Sequence, residues 1–223
     1  MATHWISSSR DGVRINSTYI DASGQPGTSS FIYGGQVVDS SYSSGPELTQ
    51  SDTVSLISKQ VNNFQLPQDP NGIYVIIASA DIASNATGFC RPSAPPHHGQ
   101  GLVNGAPVKY IFLGNPNSCP SVVGPQFSLS GPTPNGTYAG DVLASNLAHA
   151  LNGLMTNPLG NGWYDRYGFE NAYKCQDALG QPAFGQTYLT ASGARANVRF
   201  GSRDFLIQQN WVNDRKGRCA MFP

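Results

Sequence analysis

His149 opens the one stretch of this 223-residue chain whose residue types and spacing approach a hydrolytic centre, His149-Ala150-Leu151-Asn152-Gly153. Zinc hydrolases place two metal ligands one turn apart on one helix face, with a general-base Glu beside the first His. The metal and the attacking water must both be reached from the same side. Here the first ligand position holds His, but the base position is Ala150 and the position one turn on is Gly153. The adjacent pair His97-His98 supplies two further imidazoles from a proline-rich stretch, and Asp165 with Glu170 forms a candidate carboxylate pair of the kind glycoside chemistry needs. Two acids in a loop are more often simply solvated. No G-x-S-x-G nucleophile elbow and no G-x-x-x-x-G-K-[ST] phosphate loop occurs.

These residues need elements to hold them. The strongest helix surrounds His149. Asp141 lies in its first turn, Leu143, Leu147, Leu151 and Leu154 recur at helical spacing, and Asn157-Pro158 with Gly160 stops it. At 100° per residue, His149 falls opposite that Leu stripe, beside Ser145, Asn152, Gly153 and Thr156, facing either solvent or a cleft. An earlier helix is predicted from a Ser51 or Asp52 cap through Val54, Ile57 and Val61, closed by Pro67 and Pro70. Gly72 to Ala78 and Val108 to Leu113 are short, continuous apolar runs, as strands covered on both faces would be. Residues 82–105, with Cys90 and both adjacent histidines, read as a long loop. Val13 to Ile20 and Phe31 to Val38 are β-like, and Phe184 to Leu189, Ala196 to Phe200 and Phe205 to Ile207 suggest an antiparallel C-terminal portion. The expected class is α/β in one domain, 1–223, without internal repeats.

Composition narrows the function. With 12% charged and 39% hydrophobic residues, 25 glycines and 16 prolines, the chain is neither charge-solubilised disorder nor a coiled coil. The net charge of zero argues against nucleic acid or an anionic membrane as partner. A basic C-terminal stretch (Arg195, Arg199, Arg203, Arg215, Lys216, Arg218, against Asp204 and Asp214) is a candidate polyanion-binding face, or simply a solvated strand face. No apolar run approaches the roughly 20 residues that span a bilayer. Met1-Ala2-Thr3-His4-Trp5 is polar and not a leader, which suggests a processed or recombinant start. Three sequons, at Asn16, Asn85 and Asn135, accompany four cysteines without C-x-x-C spacing. Together they point to a secreted, disulfide-bonded glycoprotein. Four cysteines allow three pairings.

An ordered series of short motifs is more specific than any one of them. Gly72-Ile73-Tyr74-Val75-Ile76-Ile77-Ala78-Ser79-Ala80-Asp81-Ile82 is followed by Phe89-Cys90-Arg91, His97 and Ser118-Cys119-Pro120. Then come His149, Thr156-Asn157-Pro158 through Trp163-Tyr164, Glu170 and Cys175, and finally Asp204-Phe205-Leu206-Ile207-Gln208, Trp211 and Cys219. Over about residues 70–220 this series resembles the secreted plant EXORDIUM-like, or phosphate-induced protein 1, family. Its members read approximately G-x-Y-x-V-L-T-S-x-D-V, F-C-R-x-x-C-G-x-H, Q-C-P-x-x-C, H-E-L-A-E, E-I-G-D-x-C and K-F-L-V-Q-x-x-W.

The resemblance implies a zincin-like fold. Its parts are a mixed twisted sheet, a central motif helix over 140–156, and a loop- and strand-rich C-terminal part, without the family's usual N-terminal strand and helix. Lacking that segment, the sheet would have an open edge able to take a strand from another copy, a route to an oligomer or filament. The family's second cysteines in F-C-R-x-x-C and Q-C-P-x-x-C fall on Ala94 and Val123, a joint loss that implies Cys90–Cys119 and Cys175–Cys219 as the remaining bridges. Both glutamates of H-E-x-x-E are gone, as Ala150 and Gly153, and the Asp of E-I-G-D is Tyr173. The chain is therefore expected to be a pseudoenzyme with no catalytic residues and no cofactor, a structural or binding protein of the extracellular matrix or cell wall whose partner is a polysaccharide, a protein or itself. The alternative is a metal-dependent hydrolase holding zinc through His149, His97 and Glu170, with His98 nearby.

Overall fold

The computed structural model describes residues 13–83, 89–90, 97–120, 124, 126–176 and 183–223. Helix α1 spans Gln50–Asn62 and starts two residues earlier than a Ser51 cap would place it. Thr49, rather than Ser51 or Asp52, is the N-cap. Its hydroxyl accepts from the Asp52 backbone while the Asp52 carboxylate accepts from the Thr49 N–H at 2.7 Å, a reciprocal capping box.

Strands β1 (Ile73–Ile77), β2 (His97–Val103) and β3 (Ala106–Leu113) form a mixed sheet in the order β1-β3-β2. β1 runs parallel to β3, with Ile73 opposite Lys109, and β2 runs antiparallel to it, with Val103 opposite Ala106. Strand β2 corrects the expectation of an unbroken loop over 82–105. Asn104-Gly105 turns the chain with φ of +50° and +77°, the left-handed pair that a two-residue hairpin requires. This hairpin places His98 in register with Ile111.

Strand alternation divides the sheet into two faces. Val103, Val108, Tyr110 and Tyr74 pack against Ile57 and Val61 of α1. Gly101 makes this approach possible, since a Cβ there would stand 2.5 Å from a Val54 methyl. Ile111 and Leu113 face the other way, onto Ala150, Leu151 and Leu154 of the second helix, α2 (Tyr138–Thr156). The sheet is thus covered by one helix on each side. The cover over β1 is incomplete, because Val75 and Ile77 are 40% and 56% exposed, contrary to a strand buried on both faces.

Beyond α2 the chain forms three two-stranded antiparallel units. They pair β4 (Tyr188–Leu189) with β5 (Arg195–Ala196), β6 (Val198–Phe200) with β7 (Arg203–Phe205), and β8 (Asn210–Val212) with β9 (Arg218–Ala220). The middle unit packs Val198 and Phe205, with Ile207, against Ala144 and Ala148 of α2. Alpha-plus-beta content, a motif helix over 140–156 and a strand-rich C-terminal part therefore all stand. The N-terminal expectation does not. Val13 to Ile20 contains a 3-10 turn over Arg14–Thr18, and 28–40 is unpaired, with Ile32 94% exposed. Both segments have β-like residues, but neither meets a partner strand among the described residues, and propensity alone cannot hold a strand.

Two disulfides fasten the periphery, Cys90–Cys119 and Cys175–Cys219, as the resemblance implied. The first joins the cluster of Leu48, Ala78, Phe89 and Phe112. The second ties the segment after α2 to β9. Their sequence separations are 29 and 44 residues. On the chain-entropy relation, Cys175→Ser/Cys219→Ser should lower the unfolding free energy by about 4 kcal/mol and Cys90→Ser/Cys119→Ser by slightly less. Urea denaturation of the two double variants, compared with the parent, measures both.

Candidate functional site

Helix α2 is buried on nearly all sides, so its polar residues meet protein rather than water. His149 is 6% exposed and lies in the interior, not on solvent or in an open cleft. Its Nδ1 lies 3.1 Å from Gln208 Oε1, and the Gln208 amide nitrogen donates in turn to the Ala172 carbonyl. An amide oxygen only accepts, so His149 carries its proton on Nδ1. Tyr173 stands edge-on to the imidazole, with ring centroids 5.0 Å apart at 84°. Burial lowers the His149 pKa to about 4; the Gln208 hydrogen bond opposes that shift and the nearby His98 adds to it.

Glu170 lies one turn further along α2, where the helix carries Gly153. Its Oε2 is 2.9 Å from His98 Nε2, and its Oε1 accepts from the Asn157 amide at 2.7 Å. Burial opposes ionisation of this carboxyl, but the His98 hydrogen bond and charge, with Asn157, hold it below the usual carboxylate range. Gly153 is what admits the pair to the helix surface. A Cβ at that position would lie 2.8 Å from Glu170 Oε2 and 3.1 Å from His98 Nε2. The absence of a side chain at position 153 and the presence of Glu170 are thus two aspects of one packing solution.

The structure brings together His98, His149 and Glu170, all named from sequence, and exchanges one role. His98, rather than His97, meets Glu170; the side chain of His97 lies outside the described residues. The sequence signal for this exchange is Asn104-Gly105, whose turn fixes the alternation of β2 and so which of the two adjacent histidines faces α2. Glu170 Oε2 pairs with His98 Nε2 and Oε1 with Asn157, and Ala150 and Gly153 carry no ligand atom. Among the described residues no three His, Cys, Asp or Glu side chains converge as metal ligands. Asp165 is not paired with Glu170 but holds its own turn, accepting the Tyr167 and Phe169 N–H groups at 2.9 and 3.0 Å.

The remaining sequence candidates separate. Asn16 is fully buried, its amide nitrogen on the Met155 sulfur at 3.6 Å and its oxygen accepting from Asn171 at 3.2 Å. The Asn135 side-chain nitrogen donates to Asp141 and to the Asp204 carbonyl, joining the start of α2 to β7. A glycan on either nitrogen would displace these contacts, so both sequons have packing roles; Asn85 lies outside the described residues. Of the basic stretch, Arg199 grips Asp204 through two hydrogen bonds of 2.7 and 2.8 Å, and Arg218 pairs with Asp214. Arg195, Arg203, Arg215 and Lys216 are exposed but lie on three different hairpins.

The phosphate-induced protein 1 conserved region matches residues 7–222. This chain belongs to the phosphate-induced protein 1 family. It is 28% identical over 220 residues to protein EXORDIUM-like 5 of Arabidopsis thaliana, covering 89% of this chain and 60% of that protein. It is 34% identical to Arabidopsis protein EXORDIUM over 170 residues, 70% of this chain and 51% of that protein, and 32% identical to tobacco (Nicotiana tabacum) protein PHOSPHATE-INDUCED 1 over 149 residues, 60% and 44%. The chain therefore spans about half the length of these relatives. No solved structure matches it. Among the described residues no helix is long and apolar enough to cross a membrane.

Within this family member, the buried His149 predicts a signed pH response. Its folded pKa, about 4, lies below the ordinary 6.5, so stability is fully present above pH 6.5 and is lost as the pH falls toward 4. The loss from His149 should be about 3 kcal/mol. Glu170, also depressed, contributes in the same direction below its ordinary value. Urea unfolding from pH 7 to 4 should show this slope, and His149→Gln should remove most of it above pH 4.5. Glycopeptide mass spectrometry on protein from a secreting host should find Asn16 and Asn135 unmodified.

Proposed function

We propose that this chain is a non-catalytic extracellular member of the phosphate-induced protein 1 family, a matrix or wall-associated protein in which a zincin-like helix has become scaffold. One observation carries the reading. The carboxylate packed against Gly153 of the motif helix, Glu170, pairs through one oxygen with His98 and through the other with Asn157. A general base must reach a water and take its proton; Glu170 is only 9% exposed, and its two oxygens are directed at His98 and Asn157 rather than at solvent. The positions on α2 that would supply a base and a second ligand are Ala150 and Gly153. His149 is held by Gln208 and Tyr173, in surroundings that disfavour its cation.

The extracellular assignment is supported by the two disulfides, which persist in oxidising compartments, and by the family relationship. A role in contact rather than turnover is consistent with a buried motif helix and an extensive loop and hairpin surface.

Elemental analysis of the protein as purified, without chelator, should find no stoichiometric zinc. Added zinc should leave casein and a generic fluorogenic peptide uncleaved, at the level of a His149→Ala variant. One equivalent of retained zinc, with peptide hydrolysis abolished by His149→Ala, would instead establish the metal-dependent hydrolase.

A further inference from the structure

The connection from α2 to Glu170 carries more exposed aromatic surface than a connector requires. Tyr164, Tyr167 and Phe169 are 54%, 67% and 49% exposed within six residues. Exposed aromatics scattered singly need no explanation; a cluster on one turn does.

The turn is built to hold them in place. The Asp165 carboxylate accepts from the Tyr167 and Phe169 backbones with one oxygen, and its other oxygen meets the Lys174 ammonium at 3.2 Å. The Asp165 N–H donates to the Phe169 carbonyl at 3.0 Å, and Gly168, with φ of +82°, closes the turn. Beneath it, Lys174 Nζ lies 4.4 Å from the Trp211 ring centroid and 5.9 Å from that of Trp163. A loop fixed in this way loses little conformational entropy when a ligand binds.

Arg166 supplies the polarity. Its guanidinium stacks over Tyr167 at 4.6 Å and donates to the Tyr167 hydroxyl at 2.6 Å. Among the described residues no carboxylate lies within ion-pairing distance of it. Tyr167 and Phe169 stand 6.4 Å apart, their planes inclined by 43°, so they form a stepped platform rather than a closed stack. A complementary ligand has a flat face of weakly positive C–H groups for the rings and a carboxylate at its edge for Arg166. A uronic acid residue of an acidic polysaccharide has both. A single cation at this turn, on a chain of zero net charge, is too little for a nucleic acid backbone.

We infer that the Tyr164–Phe169 turn is a binding surface for uronate-containing polysaccharide, with Tyr167 and Phe169 stacking on sugar rings and Arg166 pairing with a carboxylate. The inference rests on the non-catalytic binding role proposed above and assigns that role a ligand class and a place. It moves the acidic-glycan contact away from the C-terminal arginines.

Isothermal titration with polygalacturonate, and with its fully methyl-esterified form, tests it. The esterified polymer keeps the rings but loses the charge. The parent should bind polygalacturonate more tightly than the ester. Tyr167→Ala/Phe169→Ala should weaken both by at least about tenfold, the effect expected when central aromatic contacts are removed. Arg166→Gln should abolish the preference between them, and Arg203→Gln/Arg215→Gln should change neither. Failure of the parent to bind, undiminished binding by the aromatic variant at an unchanged melting temperature, or dependence on Arg203 and Arg215 would overturn the site. None of these results produces hydrolysis, whereas zinc-dependent cleavage would overturn the non-catalytic reading and leave the binding data to be judged separately.

Discussion

The burial of α2 on nearly every side is the constraint from which most of the structure follows. An amphipathic helix on a protein surface keeps its polar stripe in water. This one lays its Leu stripe on the sheet and then receives the C-terminal hairpins on its other flank, through Ala144 and Ala148. Its remaining polar groups must find partners in the interior, where an unpaired donor or acceptor costs roughly 1–3 kcal/mol. Thr156 returns its hydroxyl to the helix carbonyls of Asn152 and Gly153, and the Asn152 amide donates to Ala148. Asp141, also buried, takes the Asn135 backbone and side chain.

The same requirement shapes the face of α2 that carries His149 and Gly153. His149 needs a neutral acceptor, and Gln208 provides one from the C-terminal segment. Gly153 leaves a space beside the helix, and Glu170 fills it while satisfying both of its own oxygens through His98 and Asn157. Three separate parts of the chain, β2, α2 and the segment after it, meet at this point. The result is a polar network drawn from three segments, and such networks favour a unique arrangement when every member is paired.

Around this centre the chain is held by local devices. Tyr19 donates to the Trp211 carbonyl and meets Trp163 edge-on at 4.8 Å, docking the segment around residue 19 onto the last hairpin. Asn197 gathers the Phe184 and Ile207 carbonyls and the Ile207 N–H. The Cys175–Cys219 bridge secures the segment that follows Glu170, and Lys174 beside it supports the aromatic turn through Asp165. The interior network and the exposed turn therefore share one covalently fastened base.

Much of this was legible from residues alone. The apolar spacing of α1 and α2, the runs of β1 and β3, the strand-rich C-terminal part and the family series depend on local periodicity and order, which sequence carries directly. His149 and Glu170 were also visible, as were Ala150 and Gly153 at the positions beside and one turn after His149. Tertiary structure decided what surrounds them. Helical phase places His149 opposite the Leu stripe, but only packing determines whether that side meets water or the Gln208 segment. Sequons mark Asn16 and Asn135 as acceptors, yet their amides are taken by residues from 6 to 155 positions away. Phe31 to Val38 has strand-forming residues and no partner strand among those described, because pairing is a property of two segments. The physical reason is common to all of these cases. Periodicity is encoded within a few residues of chain, whereas burial and hydrogen-bond partnership are set by which distant segments come together.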